Sequence, residues 1–286
     1  MKVRKAVIIA AGRGTRFLPV TRSQPKEMLP LLDRPLIHYA VEEALDSGIK
    51  QVIMVTARGK SAIEDYFDHS SELEHFLEQK GDKERLKQMR AMSRMADISY
   101  VRQKEQLGLG HAILVAAEIV GNEPFAVILP DDIIDSPVPA LKSMLGVYEQ
   151  YGGGVLAVER VSDEDTSRYG IIEPEKVAER IYQVMNLVEK PGPSKAPSRL
   201  GIVGRYVLPP EIFEALKVTP PGQGNEIQVT DALRLLLKQQ KLYAWELEGV
   251  RHDTGTPSGW LKANVAYALK DAAIGPELKA YLRKLL

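Results

Sequence analysis

Val7-Ile8-Ile9-Ala10 is an unbroken apolar run, rich in β-branched side chains, that leads into Gly12-Arg13-Gly14. With no polar alternation, such a run suits a strand buried on both faces, the environment of a parallel sheet. Pro35, tolerated at a first helical position, then opens a helical pattern. Leu36, Ile37, Ala40, Val41, Ala44 and Leu45 share one side of it. Gly48 ends the helix, and Val52-Ile53-Met54-Val55 is the next apolar run. Strand, helix and strand with short connections make a βαβ unit, which commits the start of the chain to a parallel sheet.

The alternation continues. Residues 98–101, 125–129 and 155–158 read as strands; 61–67, 108–117 and 139–151 read as helices. Glycine, proline and acidic residues collect after the strands, where open parallel sheets bind ligands. The second half is more mixed, with strands expected at 181–185, 202–207 and 242–247 and helices at 209–216, 229–238 and 258–269. Residues 68–97 form a charge-rich helical excursion in which Leu73, Phe76, Leu77, Leu86, Met89 and Met92 recur at roughly helical spacing. It reads as helices packed on the domain edge, without chemistry. Residues 271–286 are a C-terminal helical segment whose leucines offer a contact to a partner subunit. No repeat or clean linker interrupts residues 1–286, which read as a single α/β domain.

Composition narrows the function. Lysine plus arginine number 38, as do aspartate plus glutamate, so the basic excess of a general nucleic-acid binder is missing. Without cysteine, disulfides and thiolate metal sites are excluded. No stretch approaches the ~20 apolar residues of a membrane span. The apolar run near the N-terminus is short and meets Gly12-Arg13-Gly14 where a signal peptide would need its cleavage region. A cytoplasmic protein is expected.

Gly12 and Gly14 permit positive φ and a close backbone approach, and successive N–H groups in such a turn cradle anionic oxygens. Arg13 and Arg16 add forked donors, and Lys26 stands in a proline-flanked segment. Pro25 biases the residue before it away from helix and favours an extended approach. This is not a P-loop, which needs Gly-Lys-Ser/Thr, nor a dinucleotide fingerprint, since Phe17 stands where the third glycine belongs. The glycines alone point only to an anionic ligand.

The wider pattern is more specific. It comprises G-R-G-T-R-F-L-P (12–19), P-K-E-M-L-P (25–30), V-R-Q-K-E-Q-L-G-L-G-H-A (101–112), L-P-D-D (129–132), R-Y-G-I-I (168–172), V-E-K-P (188–191), G-I-V-G-R-Y-V-L (201–208), N-E-I-Q-V-T-D-A (225–232) and R-H-D-T-G (251–255). In this order the set resembles the sugar-nucleotide pyrophosphorylases, and within them the bacterial UTP–glucose-1-phosphate uridylyltransferase branch. The resemblance implies a mainly parallel, Rossmann-like open sheet flanked by helices, of the nucleotidyltransferase and glycosyltransferase-A-like kind, with a sugar-side extension. It also implies that UTP and glucose 1-phosphate form UDP-glucose and pyrophosphate by in-line attack on the α-phosphorus, with Mg2+, in a homodimer or homotetramer.

The family's residues carry over position by position. Arg16 and Lys26 become the catalytic phosphate contacts, and Asp131 and Asp253 the Mg2+ ligands. Ala11, Gly12, Gly14, Gln103 and Gly108 fall on the nucleotide. The Gln103 amide offers a donor and an acceptor, matching a carbonyl and the N3–H of uracil, and glycine at 108 keeps a side chain off the base. Asp132, Gly170, Glu189, Lys190 and Gly204 fall on the sugar phosphate. Glu226 and Asp231 either line the sugar pocket or cap the helix after Val229. His111 and His252 are packing residues, since an ionised phosphate nucleophile needs no general base. One departure is Thr256-Pro257-Ser258-Gly259, where many members of the branch have Asn-Lys and thymidylyltransferases often have Thr. The rivals are a thymidylyltransferase and a catalytically silent subunit that only binds sugar nucleotides.

Overall fold

The first apolar run becomes β1 (Lys5–Ile9), and Ala6, Val7 and Ile8 on it are fully buried. Alternate side chains enter opposite layers. Val7 joins a cluster with Ile53, Val127 and Ile113, while Ile8 joins one with Ile37, Met54 and Met144. The computed structural model describes residues 2–285, with the backbone alone at residue 223.

After β1 come a small hairpin, β2 (Pro30–Leu31) and β3 (Arg34–Pro35), then α1 (Leu36–Asp46), β4 (Gln51–Thr56) and α2 (Ser61–Phe67). The charge-rich excursion is a helix pair, α3 (Ser71–Lys80) and α4 (Lys83–Met92), with Leu77 and Leu86 as its buried residues. The chain returns through β5 (Asp97–Arg102), α5 (Leu109–Val115), α6 (Ala117–Val120), β6 (Phe125–Ile128), β7 (Asp132–Asp135), α7 (Ala140–Tyr151) and β8 (Gly154–Arg160). Then follow β9 (Gly170–Ala178), β10 (Ile181–Glu189), β11 (Leu200–Leu208), α8 (Ile212–Val218), α9 (Val229–Leu237) and β12 (Leu242–Glu246). The last elements are β13 (Val250–Asp253), α10 (Pro257–Lys270) and α11 (Gly275–Leu285). Leu286, the end of the expected C-terminal helix, lies outside the described residues. No helix among the described residues is long and apolar enough to cross a membrane.

The expected open α/β sheet is present, with nine strands in the order β5-β4-β1-β6-β11-β8-β12-β10-β9. From β5 to β6 it is parallel; β11 then runs antiparallel to both β6 and β8. The β9–β10 hairpin adds a second antiparallel region at the far edge, while β12 pairs with β8 in parallel, so the sheet is mixed and continuously parallel only from β5 to β6. Strands β7 and β13 form a separate antiparallel ribbon with Asp253 opposite Asp132.

Besides the small β2–β3 hairpin, three strands depart from the sequence reading. The edge strand β9 contains Pro174 and exposed charges, which an edge tolerates and a central strand does not. The short β7 and β13 are defined by each other, and their partnership spans more than a hundred residues of chain.

Candidate active site

The loop after β1 is shaped around Lys26. Gly14 has φ 67°, and a methyl there would lie 3.0 Å from Thr21 Cγ2. Thr21 Oγ1 donates to the Gly14 carbonyl at 2.7 Å, locking the turn. Gly12 faces the same lysine, since a methyl on it would be 3.7 Å from Lys26 Cε. Phe17, at the position where a dinucleotide loop would have glycine, is buried edge-on to Trp260. Arg16 remains exposed and reaches across to the Gly255 carbonyl at 3.4 Å.

Lys26 Nζ donates to Asp131 Oδ2 at 2.5 Å. Burial opposes both charges, but mutual attraction outweighs it: the Lys26 pKa is raised and that of Asp131 lowered. Asp253 arrives through the β7–β13 ribbon. A methyl built on Gly255 would lie 2.9 Å from Asp131 Oδ2, 3.0 Å from Asp253 Oδ1 and 3.6 Å from Arg16 Nη1. Both carboxylates and the guanidinium therefore converge on the space beside Gly255. Thr254 secures the junction, its N–H and hydroxyl donating to the Asp131 carbonyl at 2.8 and 2.7 Å. Asp253 Oδ1 accepts from Gly255 N at 3.0 Å, and its Oδ2 from Arg168 Nη2 at 3.3 Å.

Two carboxylates suit Mg2+, which takes oxygen ligands and completes its shell with water and substrate phosphates. No group of three or more metal-binding side chains occurs among the described residues.

Asp132 is held by partners within the protein. Its Oδ1 accepts from Arg251 Nε at 2.8 Å and its Oδ2 from Gly204 N at 2.8 Å. Both oxygens are engaged inside the protein, so Asp132 stands in the cleft wall without a free carboxylate face. Gly204 is required for that packing, as a methyl would come within 2.5 Å of Asp132 Oδ2. Burial opposes the Arg251 charge, but Asp132 and Tyr169 outweigh it and raise its pKa.

Residues outside the expected set support the site from beneath. Arg205, fully buried on β11, donates to the Leu129 and Asp132 carbonyls at 2.9 and 2.7 Å and grips Glu43 on α1. Glu27, next to Lys26, is also fully buried and accepts from Lys60 at 2.6 Å. Burial pushes the Glu27 carboxyl up and the Lys60 ammonium down, against their mutual attraction. An arginine amid the apolar G-I-V-G-R-Y-V-L was the available signal for the first; nothing local marked the second.

A cleft of about 520 Å3 runs from the Gly12–Gly14 loop, Lys26 and Asp131 to Gly170, Glu189 and Lys190. The β9–β10 register sets Gly170 opposite Glu189. Glu189 accepts from Thr230 Oγ1 at 2.6 Å and pairs with Lys190 at 3.1 Å. Glu226 lines the cleft, whereas Asp231, in the first turn of α9, borders a different surface pocket.

Gln103 and Gly108 lie after β5. Gly108 has φ 93°, and a methyl there would come 2.6 Å from Glu226 Cβ, so the glycine is demanded by the neighbouring loop as well. Gln106 donates to the Ala11 carbonyl at 2.7 Å and accepts from Arg13 at 2.5 Å, tying this loop to the glycine-rich one. Ala11 thus already has a partner for its carbonyl. His111 Nδ1 accepts from the Gln103 amide Nε2 at 2.9 Å, and His252 packs edge-on to Tyr267. The Thr256-Pro257 departure is a helix start: Thr256 caps α10 by accepting from Gly259 N at 3.1 Å, and Pro257 takes the first helical position.

The chain is 50% identical over 284 residues to the UTP–glucose-1-phosphate uridylyltransferase of Staphylococcus epidermidis, covering 99% of each chain. It superimposes on a UDP-glucose pyrophosphorylase complexed with UDP-glucose with TM-score 0.86 and 45% identity, over 94% of this chain and 100% of the other. A UTP-bound UGPase from Acinetobacter baumannii gives TM-score 0.91 and 39% identity, over 99% of this chain and 100% of that one. The family model described as nucleotidyl transferase matches residues 5–270, and the chain belongs to that family.

Proposed function

We propose that this protein transfers a uridylyl group from UTP to glucose 1-phosphate, forming UDP-glucose and releasing pyrophosphate. The observation that carries the reading is the convergence of Lys26, Asp131, Asp253 and Arg16 beside Gly255, beneath a glycine loop that opens to the cleft. The names of the full-length relatives support the choice of nucleotide and sugar.

In this reading a phosphate oxygen of glucose 1-phosphate attacks the α-phosphorus of UTP in line. Both reactants are anionic, so positioning and charge stabilisation dominate the barrier. Arg16 and Lys26 hold triphosphate oxygens, with Gly12 and Gly14 offering backbone N–H groups. Asp131 and Asp253 hold Mg2+, which when bound neutralises phosphate charge. Glu189 accepts from sugar hydroxyls, Lys190 holds the sugar phosphate, and Gly170 leaves room for both. Asp132 and Gly204 shape the wall between the two subsites. Gln103, Gly108 and the Ala11–Gly12 backbone face the base.

The protein works as a single nucleotidyltransferase domain in the cytoplasm, as a homodimer or homotetramer. The exposed Tyr281 and Leu285 on α11 are available for a subunit contact. Its balanced charge lacks the basic excess of a general nucleic-acid binder. A matrix of nucleoside triphosphates against sugar 1-phosphates, read by pyrophosphate release with Mg2+, tests the assignment. UTP with glucose 1-phosphate is expected to be the best pair. A clear preference for dTTP makes the protein a thymidylyltransferase, and binding of UDP-glucose without pyrophosphate formation makes it a silent binding subunit.

A further inference from the structure

Lys26 and Glu27 share one tight helical turn, Lys26–Met28. Met28 N closes it by donating to the Pro25 carbonyl at 2.9 Å, and Leu29 N by donating to the Lys26 carbonyl at 3.1 Å. The two side chains part: Lys26 reaches Asp131 and the cleft, whereas Glu27 turns inward and has no exposed surface. The chain before the turn, residues 18–23, is mostly exposed, and within the turn Glu27 is the buried side chain. Lys60, just ahead of α2, is also buried and donates to Glu27 Oε2 at 2.6 Å. Glu27 Oε1 is sealed from solvent without a partner among the described residues. The contact to Lys60 therefore ties the turn to α2. The far end of the tie is firm, since Ile63 N donates to the Lys60 carbonyl at 3.0 Å and Ile63 is fully buried.

Stability does not explain two buried charges. Desolvating both cancels much of their attraction, and apolar residues of similar volume at such a pair are often as stable or more so. What the pair supplies and an apolar contact lacks is direction, because a charge-assisted hydrogen bond is short and specific in geometry. Carried across one peptide bond, that geometry sets where the Lys26 side chain starts and so where its ammonium ends. Neither Glu27 nor Lys60 lines the cleft, so neither meets a substrate directly.

We infer that Lys60 is a positioning residue for Lys26, acting through Glu27. It pins the turn to the start of α2, so that the Lys26 ammonium meets Asp131 and the cleft in one place. The inference rests on reading Lys26 as a phosphate contact in the proposed reaction.

The test compares the unmodified protein with Glu27→Leu/Lys60→Met, which removes both charges at similar volume, and with Glu27→Gln, whose side-chain oxygen still accepts from Lys60. Each is also made in a Lys26→Ala background. Pyrophosphate release is measured with UTP, glucose 1-phosphate and Mg2+, and crystal structures locate the Lys26 ammonium. The apolar pair should fold with a Tm close to that of the unmodified protein. It should lose about tenfold or more in kcat, as for a reacting group misplaced by about 1 Å, with the KM for glucose 1-phosphate little changed. Glu27→Gln should keep most of kcat. In the Lys26→Ala background the apolar pair should cost nothing further, because residues that act through one another are not additive. Normal kcat in the folded apolar pair, or the same fold-loss with and without Lys26, overturns the inference. Should the apolar pair not fold, Glu27→Met takes its place with the same expectations, since the long Lys60 side chain can then reach toward water. If the unmodified protein releases no pyrophosphate, the proposed reaction has failed, and the crystal structures decide the inference separately. An ammonium moved off Asp131 by about 1 Å or more in the apolar pair upholds it, and one that stays in place overturns it.

Discussion

Arg205 on β11 and Glu43 on α1 meet as a forked pair in the interior, with Nη2 2.7 Å from Oε2 and Nε 3.0 Å from Oε1. The same guanidinium donates to the carbonyls of Leu129, Asp132 and Gly204, so one side chain grips both ends of the turn that presents Asp131. Replacing Arg205 with Met leaves Glu43 nearly buried without its cation and those carbonyls without donors. The expected loss of stability is about 3–5 kcal/mol, the usual result of breaking a buried pair from one side. Urea unfolding measures it; a change below about 1 kcal/mol would show that the turn holds itself.

Lys26 stands under the glycine loop and within reach of the cleft. Lys26→Ala is expected to lower turnover by about 10²–10³, as for loss of one preorganised donor at a reacting phosphate. Steady-state pyrophosphate release checks this, and near-normal turnover would remove Lys26 from the mechanism.

The Lys26–Asp131 pair also sets a pH dependence. Asp131 has a lowered pKa in the folded state, so its contribution is present above the unfolded carboxylate pKa and is lost as pH falls through the folded value. Lys26 has a raised pKa, so its contribution is present below the unfolded lysine pKa and is lost as pH rises through the folded value. The pair therefore stabilises the fold at intermediate pH and less at both extremes. Comparing Tm against pH for the unmodified protein and Lys26→Met should show the difference largest near neutrality and smaller on both flanks. A difference that is constant with pH would contradict the pairing.

Gly170 offers a probe confined to the sugar side. A methyl there would sit 2.8 Å from Thr230 Oγ1 and 3.3 Å from Glu189 Oε2, displacing the hydroxyl that orients the carboxylate. Gly170→Ala is expected to raise the KM for glucose 1-phosphate about tenfold, with little change in that for UTP, since one charged hydrogen bond is disturbed. An equal rise for both substrates would place Glu189 outside the sugar subsite.

The elements that could be read from sequence are those whose pattern is local. Val7 to Ala10 and Val52 to Val55 are continuous apolar runs, and they lie where a doubly covered parallel sheet puts them. The α1 stripe of Ile37, Ala40, Val41 and Ala44 became a buried face for the same reason. The ribbon was not legible, because Val250 to Asp253 lacks apolar alternation and acquires strand geometry only from Asp132 to Asp135. The candidate site divides similarly. The family resemblance pointed to Lys26, Asp131 and Asp253, but not to the inward turn of Asp132 toward Arg251, nor to the hydrogen bond from the Gln103 amide to the Gly108 carbonyl. Both depend on contacts that no local periodicity encodes.

The β7–β13 ribbon also acts as a ruler. Side chains alternate along it, so Arg251 and Asp253 share one face while His252 takes the other, against Tyr267. A shift of one residue would exchange the faces, removing the cation from Asp132 and turning Asp253 away from Gly255. Gly249 fixes the start of the measure: its φ is 98°, and a methyl would lie 2.4 Å from the Asp135 carbonyl. The short connection from Leu247 to Val250 is thus constrained in length as tightly as the carboxylates are in chemistry, although neither Glu248 nor Gly249 lines the cleft.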